Sequence, residues 1–384
     1  MQVYINKLQA VRDHFNNGDS HIGFRKLVDC VLDTQSSDYY KKCIALTEWK
    51  ETHDLSEEAL KERVFELIDD LSAAQFTIRT TGNTLLRAEN INKRYGSGFF
   101  RLENISLEIK EGDVWGLVGE NGNGKTTLLR ILAKDLSYDS GRLEYVFQAA
   151  DDYELRTRLT YIPQRTPKWY GSLKDNLKFA AVHYGIKGEE NELIVLMMII
   201  RFGLWKYKDF NWNQLSSGYK MRFELARTFL RRPDILLLDE PLANLDILAQ
   251  QLILEDLKNL SQSLSHPLGI ILSSQQLFEV EKVSDKLLFL KQGKPTHLKN
   301  ANEEVEQGEV KTYYVEMDIE SDREHLQRAL SELDIKEVSF NGGIYVVAFH
   351  DEDGMYALLN ALIRHRIVIR YIRDISQSTR RLFV

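Results

Sequence analysis

Along residues 1–82, apolar side chains recur every three or four positions, the spacing of helices with one buried face. Val3, Leu8, Val11 and Phe15 form one stripe, stopped by Asn16, Asn17, Gly18 and Asp19. Phe24, Leu27, Val28, Val31 and Leu32 form a second, and Tyr39, Cys43, Leu46 and Trp49 a third. Ser56 ahead of Glu57, Glu58 and Ala59 has the form of a helix start, with Leu60, Val64, Leu67, Ile68 and Leu71 as the buried face behind it. The pattern predicts a small bundle of about four helices with its aromatics in the core. No chemistry is legible in this bundle, so docking or regulation is its expected role.

A polar joint, Thr80 to Asn83, ends the helical pattern. From Leu85 the period shortens: Leu85–Ile91 and Phe100–Lys110 alternate as half-buried strands do. Val114–Val118 is a short apolar run leading into glycines, and Thr127–Leu132 behind them is helix-forming. All six prolines, from Pro163 to Pro295, lie in the middle of the chain, which marks the two ends as separate units. Residues 85–300 are expected to form an α/β domain, and Gly293–Gln307, polar and acidic, a linker. Beyond it come a strand (Tyr313–Ile319), a helix (Glu324–Leu333), a hairpin (Glu337–Phe340 and Ile344–Phe349 around Asn341, Gly342 and Gly343), a helix (Gly354–His365) and a strand (Ile367–Ile372). The order βαββαβ over residues 308–384 is that of the ferredoxin-like split unit.

Composition narrows the setting. A chain of 384 residues exceeds one ordinary domain. The net charge of −7 offers no whole-chain argument for nucleic acid or an acidic membrane surface. Cys30 and Cys43 flank no metal pattern and fit a reducing compartment. The first residues turn polar at once, unlike a signal peptide. The longest apolar run, Leu193–Ile200, is far short of the roughly 20 residues that span a bilayer. Any membrane part must come from another chain.

The chemistry centres on Gly119-Glu120-Asn121-Gly122-Asn123-Gly124-Lys125-Thr126. Strand, glycine loop and helix are the context of a phosphate cradle. Glycines let successive N–H groups turn toward an anion, and the following helix adds the positive end of its dipole. Lys125 reaches the outer phosphates and the Thr126 hydroxyl can ligate Mg²⁺. Downstream, Ile235–Leu238 is a buried strand ending in Asp239 and Glu240. Asp239 suits a water-mediated hold on Mg²⁺, and Glu240 suits polarising an attacking water.

Between these two elements stands Leu215-Ser216-Ser217-Gly218-Tyr219, and with it the chain resembles the ATP-binding cassette (ABC) ATPases. The segment is similar to the family's L-S-G-G-Q signature, with Lys220–Leu230 as the helix behind it. The loop at Gly119 matches Walker A, and Asp239-Glu240 matches Walker B with its catalytic Glu. Ala243-Asn244-Leu245-Asp246 resembles the D-loop, and Tyr161-Ile162-Pro163-Gln164 the glutamine loop. Tyr95 stands where the family stacks an aromatic on adenine, and Ser273-Ser274-Gln275-Gln276-Leu277 aligns with the switch segment. The resemblance covers about residues 85–295 and leaves both ends outside it.

The resemblance implies a central α/β P-loop domain with a helical subdomain, flanked by the bundle and the ferredoxin-like domain. It implies ATP and Mg²⁺ as cofactors, held by Tyr95, by Gly119 through Thr127, and by Gln164, with Thr126, Gln164 and Asp239 on the metal side. It implies two cassettes, head to tail, with Ser216, Ser217 and Gly218 of one capping the ATP of the other and Asp246 nearby. Lys125, Glu240 and Gln275 are the expected catalytic residues. Two departures stand out: Ser217 and Tyr219 replace a Gly and a Gln of the signature, and Gln275 replaces the switch histidine. Glutamine donates a hydrogen bond but carries no charge, so slow hydrolysis is expected.

The leading expectation is the ATPase subunit of a transporter, working as a homodimer on a separate transmembrane permease, cytoplasmic and peripheral on the inner face of the membrane. Export is the expected direction, because single-cassette ATPases of two-component bacterial exporters look like this. The final stretch, Ser376–Phe383, resembles their tails. The alternative is a non-transport ABC ATPase that acts as a switch or clamp and recruits a client through its helical bundle. A dead scaffold is a third reading, opposed by the intact Lys125, Asp239 and Glu240.

Overall fold

The computed structural model describes the chain except residues 54–55, 97–100, 276, 298–311, 322, 342, 352 and 377–384. The start of the strand expected at Phe100, most of the linker, the hairpin glycine Gly342 and the tail after Ser376 lie outside the described residues. The chain forms two compact units, Met1–Pro295 and Thr296–Val384.

The first unit opens with four helices: α1 (Gln2–Asn16), α2 (Ser20–Thr34), α3 (Ser37–Thr52) and α4 (Glu57–Ser72). Asp19 caps α2 by accepting from Ile22 N, and Ser56 caps α4 by accepting from Ala59 N. The first stripe is shifted by one position. Tyr4, Leu8, Val11 and Phe15 face the core, whereas Val3 is 56% exposed. At 100° per residue Tyr4 lies above Leu8 and Val11, and Val3 falls off that face.

A three-stranded antiparallel sheet follows, of β1 (Thr84–Arg94), β2 (Arg101–Lys110) and β4 (Ser140–Tyr145), in the order β2-β1-β4. The second sheet comprises β3 (Val114–Val118), β5 (Leu159–Ile162), β6 (Ile235–Leu238), β7 (Gly269–Ser274), β8 (Lys286–Lys291) and β9 (Lys294–His297). Its order is β5-β6-β7-β3-β8-β9, and β5, β6, β7, β3 and β8 pair in parallel. Buried on both faces, its inner strands β3 and β6 are apolar throughout. Leu236 and Leu238 enter one core, while Ile235 and Leu237 enter the other with α5 (Lys125–Leu132).

Helices α6 (Asp152–Arg158), α7 (Leu173–His183), α8 (Gly188–Arg201) and α9 (Ser217–Phe229) lie in sequence between β4 and β6. Helix α10 (Ile247–Ser261) precedes β7, and α11 (Leu277–Glu281) follows it. The longest apolar run is the C-terminal part of α8, buried from Ile194 to Arg201 and packed against α2, α3, α7 and α9. The N-terminal helices thus share one core with α8 and α10. That core holds charges. Arg201, with a fully buried side chain, donates from Nη1 to Asp256 Oδ1 at 2.6 Å and from Nε to Asp29; Arg25 pairs with Asp256.

The second unit contains β10 (Tyr313–Glu320), α12 (Arg323–Leu330), β11 (Ile335–Asn341), β12 (Ile344–Phe349), α13 (Gly354–Arg364) and β13 (Val368–Asp374). Its antiparallel sheet runs β11-β12-β10-β13. Val315, Met317, Val347 and Phe349 pack against Leu326, Leu358 and Leu362 of the two helices. Among the described residues no helix is long and apolar enough to cross a membrane.

Candidate nucleotide-binding site

The site grows from the C-terminal ends of the parallel strands. Strand β3 runs into the glycine loop, and Gly122 (φ 82°) and Gly124 (φ 101°) hold the left-handed backbone that brings the chain into α5. In front of the loop is an open cavity of about 410 Å³. Asn121, Gly122, Gly124, Lys125, Thr126 and Thr127 line it from the loop side, and Gln164 and Glu240 from the opposite side.

Lys125 is almost fully buried. Its Nζ donates to Gly119 O at 2.6 Å and to Glu120 O at 3.3 Å. It also stands 3.1 Å from Glu240 Oε1, without the alignment of a hydrogen bond, so this contact is Coulombic. That buried oxygen has no hydrogen-bond partner in the protein. A buried acceptor in this state favours an added donor such as water. Glu240 has a positive φ of 49°, a conformation that costs a non-glycine residue on the order of 1–3 kcal/mol. The donation from Glu240 N to Ser273 Oγ at 2.9 Å helps to hold it there.

Asp239 is 3% exposed, and protein donors satisfy both its oxygens. Oδ2 accepts from Thr126 Oγ1 at 2.8 Å and from the Tyr161 hydroxyl at 3.2 Å; Oδ1 accepts from Ser273 Oγ at 2.8 Å. Burial, followed by the Asp239 charge, pushes the Tyr161 phenol well above its ordinary pKa and keeps it a donor. The oxygens of Thr126, Asp239 and Gln164 form a hard donor set that fits Mg²⁺, and the open loop with its buried ammonium fits a polyphosphate. Tyr161 and Ser273 stood in the quoted motifs without a role of their own. The strand alternation that puts Leu159, Leu237 and Ile271 on the α5 side was the signal available for them.

The other expected residues do not line this cavity. Tyr95 stands just past the end of β1, half exposed, with Lys93 Nζ 5.9 Å from its ring centre. Ser216 caps α9, and its exposed neighbour Ser217 donates to Asn244 O at 2.7 Å, tying the signature segment to the loop ahead of α10. A Cβ added to Gly218 would meet Ala249 at an ordinary 3.5 Å. Asp246 caps α10 through Ala249 N at 2.8 Å. Val118 of β3 lies opposite Ser274 of β7, so exposed Gln275 leaves the sheet beside Gly119. Of the two aromatics after Gln164, Trp169 donates to Glu224 Oε1 at 2.7 Å and packs on Phe223, whereas Tyr170 is 90% exposed.

A parallel sheet with a phosphate loop at one strand end and paired carboxylates at another defines a P-loop nucleotide-binding domain. A family model described as ABC transporter matches residues 102–243. An ABC transporter ATP-binding protein of Methanocaldococcus jannaschii is 32% identical over 213 residues, 55% of this chain and 76% of that protein. A probable sulfate/thiosulfate import ATP-binding protein of Chlorella vulgaris is 34% identical over 224 residues, 56% of this chain and 91% of the other. The solved structure of cbiO1 from Clostridium perfringens, described as part of an ABC transporter complex, aligns with TM-score 0.51 at 28% identity, covering 59% of this chain and 92% of its own. The chain belongs to the ABC transporter ATP-binding family.

Proposed function

We propose that this chain hydrolyses ATP between two cassettes and thereby drives a separate membrane permease. The observation that carries the reading is the Lys125–Glu240 contact at the cavity wall, with the Thr126–Asp239 hydrogen bond beside it. Loop amides and Lys125 hold the phosphates. Thr126 and Asp239 would hold Mg²⁺, which would supply positive charge against the negative charge of the phosphates. A γ-phosphate offers Lys125 a stronger partner than the loop carbonyls and frees Glu240 to take the proton of an attacking water. Ser216 and the Gly218 N–H, exposed and half-exposed at the start of α9, supply the contacts a second copy would make. Tyr95 would stack on the adenine.

Exposed Tyr170, close in sequence to Gln164, suits contact with the permease, whereas Trp169 serves packing. For direction, the Chlorella vulgaris relative is named an import ATP-binding protein, which weighs against the export expected from the sequence. The four N-terminal helices are read as a regulatory domain and residues 308–384 as a ferredoxin-like accessory domain. The fusion of bundle and cassette into one core favours the second reading, a switch that engages a client through the bundle. Affinity purification decides: recovery with an integral membrane protein from detergent-solubilised membranes supports the permease, and recovery from the cytosol without one supports the switch.

Lys125→Ala is expected to weaken ATP binding by about 30-fold, the worth of roughly 2 kcal/mol in charged hydrogen bonds, as measured by equilibrium titration. Gln275→His is expected to raise steady-state turnover about fivefold, since a hydrogen bond from a cation is about 1 kcal/mol stronger than one from an amide. Unchanged turnover in the variant sinks the assignment of slow hydrolysis to Gln275.

A further inference from the structure

We propose that Tyr161 is a positioning residue that fixes the metal-side carboxylate; the role rests on the nucleotide-site reading above. Tyr161, Asp239 and Ser273 lie within one residue of the C-terminal ends of three neighbouring parallel strands, β5, β6 and β7. Side chains alternate along a strand, and Leu159, Leu237 and Ile271, two residues before each, enter the core that α5 shares. All three polar groups therefore emerge on the side where α5 presents Thr126.

Asp239 is buried and must find its donors inside the protein. Ser273 holds Oδ1 at 2.8 Å. Oδ2 is shared by Thr126 at 2.8 Å and Tyr161 at 3.2 Å. These two donors differ in kind. Thr126 belongs to the phosphate loop, and its oxygen is itself a candidate ligand of the ion. The Tyr161 ring is packed against the sheet core, so its hydroxyl is held by the scaffold whether or not nucleotide is bound. With Tyr161 and Ser273 on opposite oxygens, the carboxylate cannot rotate away from Thr126 without losing a hydrogen bond. Three residues after Tyr161 stands Gln164, so the strand that orients Asp239 also launches the glutamine that lines the cavity.

Removing the hydroxyl leaves the phosphate loop untouched and loosens only the metal side. Tyr161→Phe keeps the ring, and with it the packing. The test compares wild type, Tyr161→Phe and Asp239→Asn by equilibrium binding of a fluorescent ATP analogue, in EDTA and across a Mg²⁺ titration. The expected result is unchanged affinity in EDTA for Tyr161→Phe and a Mg²⁺ midpoint raised about three- to tenfold, the worth of one hydrogen bond, with a larger shift for Asp239→Asn. A wild-type midpoint in Tyr161→Phe beside a shifted one in Asp239→Asn overturns the role of Tyr161 and leaves the site reading standing. Binding with no Mg²⁺ dependence in either wild type or Asp239→Asn overturns the site reading itself.

Discussion

Glu240→Gln is expected to lower steady-state hydrolysis at least about a hundredfold, the lower range for loss of a general base, while ATP binding persists. Glu240 lies two residues past the end of β6, in a left-handed conformation tied to Ser273, with one oxygen buried beside Lys125. Glutamine is nearly isosteric, so the backbone and the loop stay in place and only the proton acceptor is lost. The amide also removes one negative charge from the wall that faces the γ-phosphate, so the ATP-bound state gains stability as hydrolysis stops. Size measurement with and without ATP is expected to show the variant accumulating as a dimer where wild type cycles. Undiminished hydrolysis refutes the role of Glu240; lost hydrolysis without an ATP-dependent size change refutes the paired-cassette reading.

Much of this site was legible because its parts are local. A glycine loop, a cap serine and a carboxylate at a strand end each act through a few consecutive residues, so the conformations of Gly122 and Gly124, the cap at Ser56 and the position of Asp239 could be read from the chain alone. Helix faces were legible except where neighbouring residues were alike: packing selects Tyr4 over Val3 and Tyr40 over Tyr39. What was not legible joins distant residues. Trp169 and Tyr170 are adjacent aromatics in the chain, yet buried Glu224 of α9 takes the first and leaves the second in solvent. Tyr161 gains its partner only when β5 and β6 pair side by side. The ties between the N-terminal helices and the cassette span more than any periodicity can reach: Arg25 and Asp256 are 231 residues apart, and Asp29 and Arg201 are 172 apart.

Those ties carry the second large effect, on stability. Arg201→Ala is expected to lower the unfolding free energy by about 3–5 kcal/mol, the penalty for removing one partner of a buried ion pair. The guanidinium is fully buried and holds Asp29 from α2 and Asp256 from α10, so its loss strands Asp29 and leaves Asp256 with Arg25 alone. Burial already pushes the Asp29 carboxyl upward against the pull of Arg201, and deleting Arg201 raises it further. A carboxyl whose folded pKa lies above its unfolded value binds more protons in the folded state, so the variant loses stability as pH rises through that window. Denaturant unfolding should therefore show a larger deficit at about pH 8 than at about pH 5, with the deficit shrinking as the stranded Asp29 protonates. Replacing Arg201, Asp29, Asp256 and Arg25 together with apolar residues of similar size should recover most of the loss, since a well-packed apolar cluster replaces a buried charge network at little net cost. If the single variant unfolds like wild type at both pH values, the network is not what clamps α2 to α8 and α10, and apolar packing alone joins the bundle to the cassette.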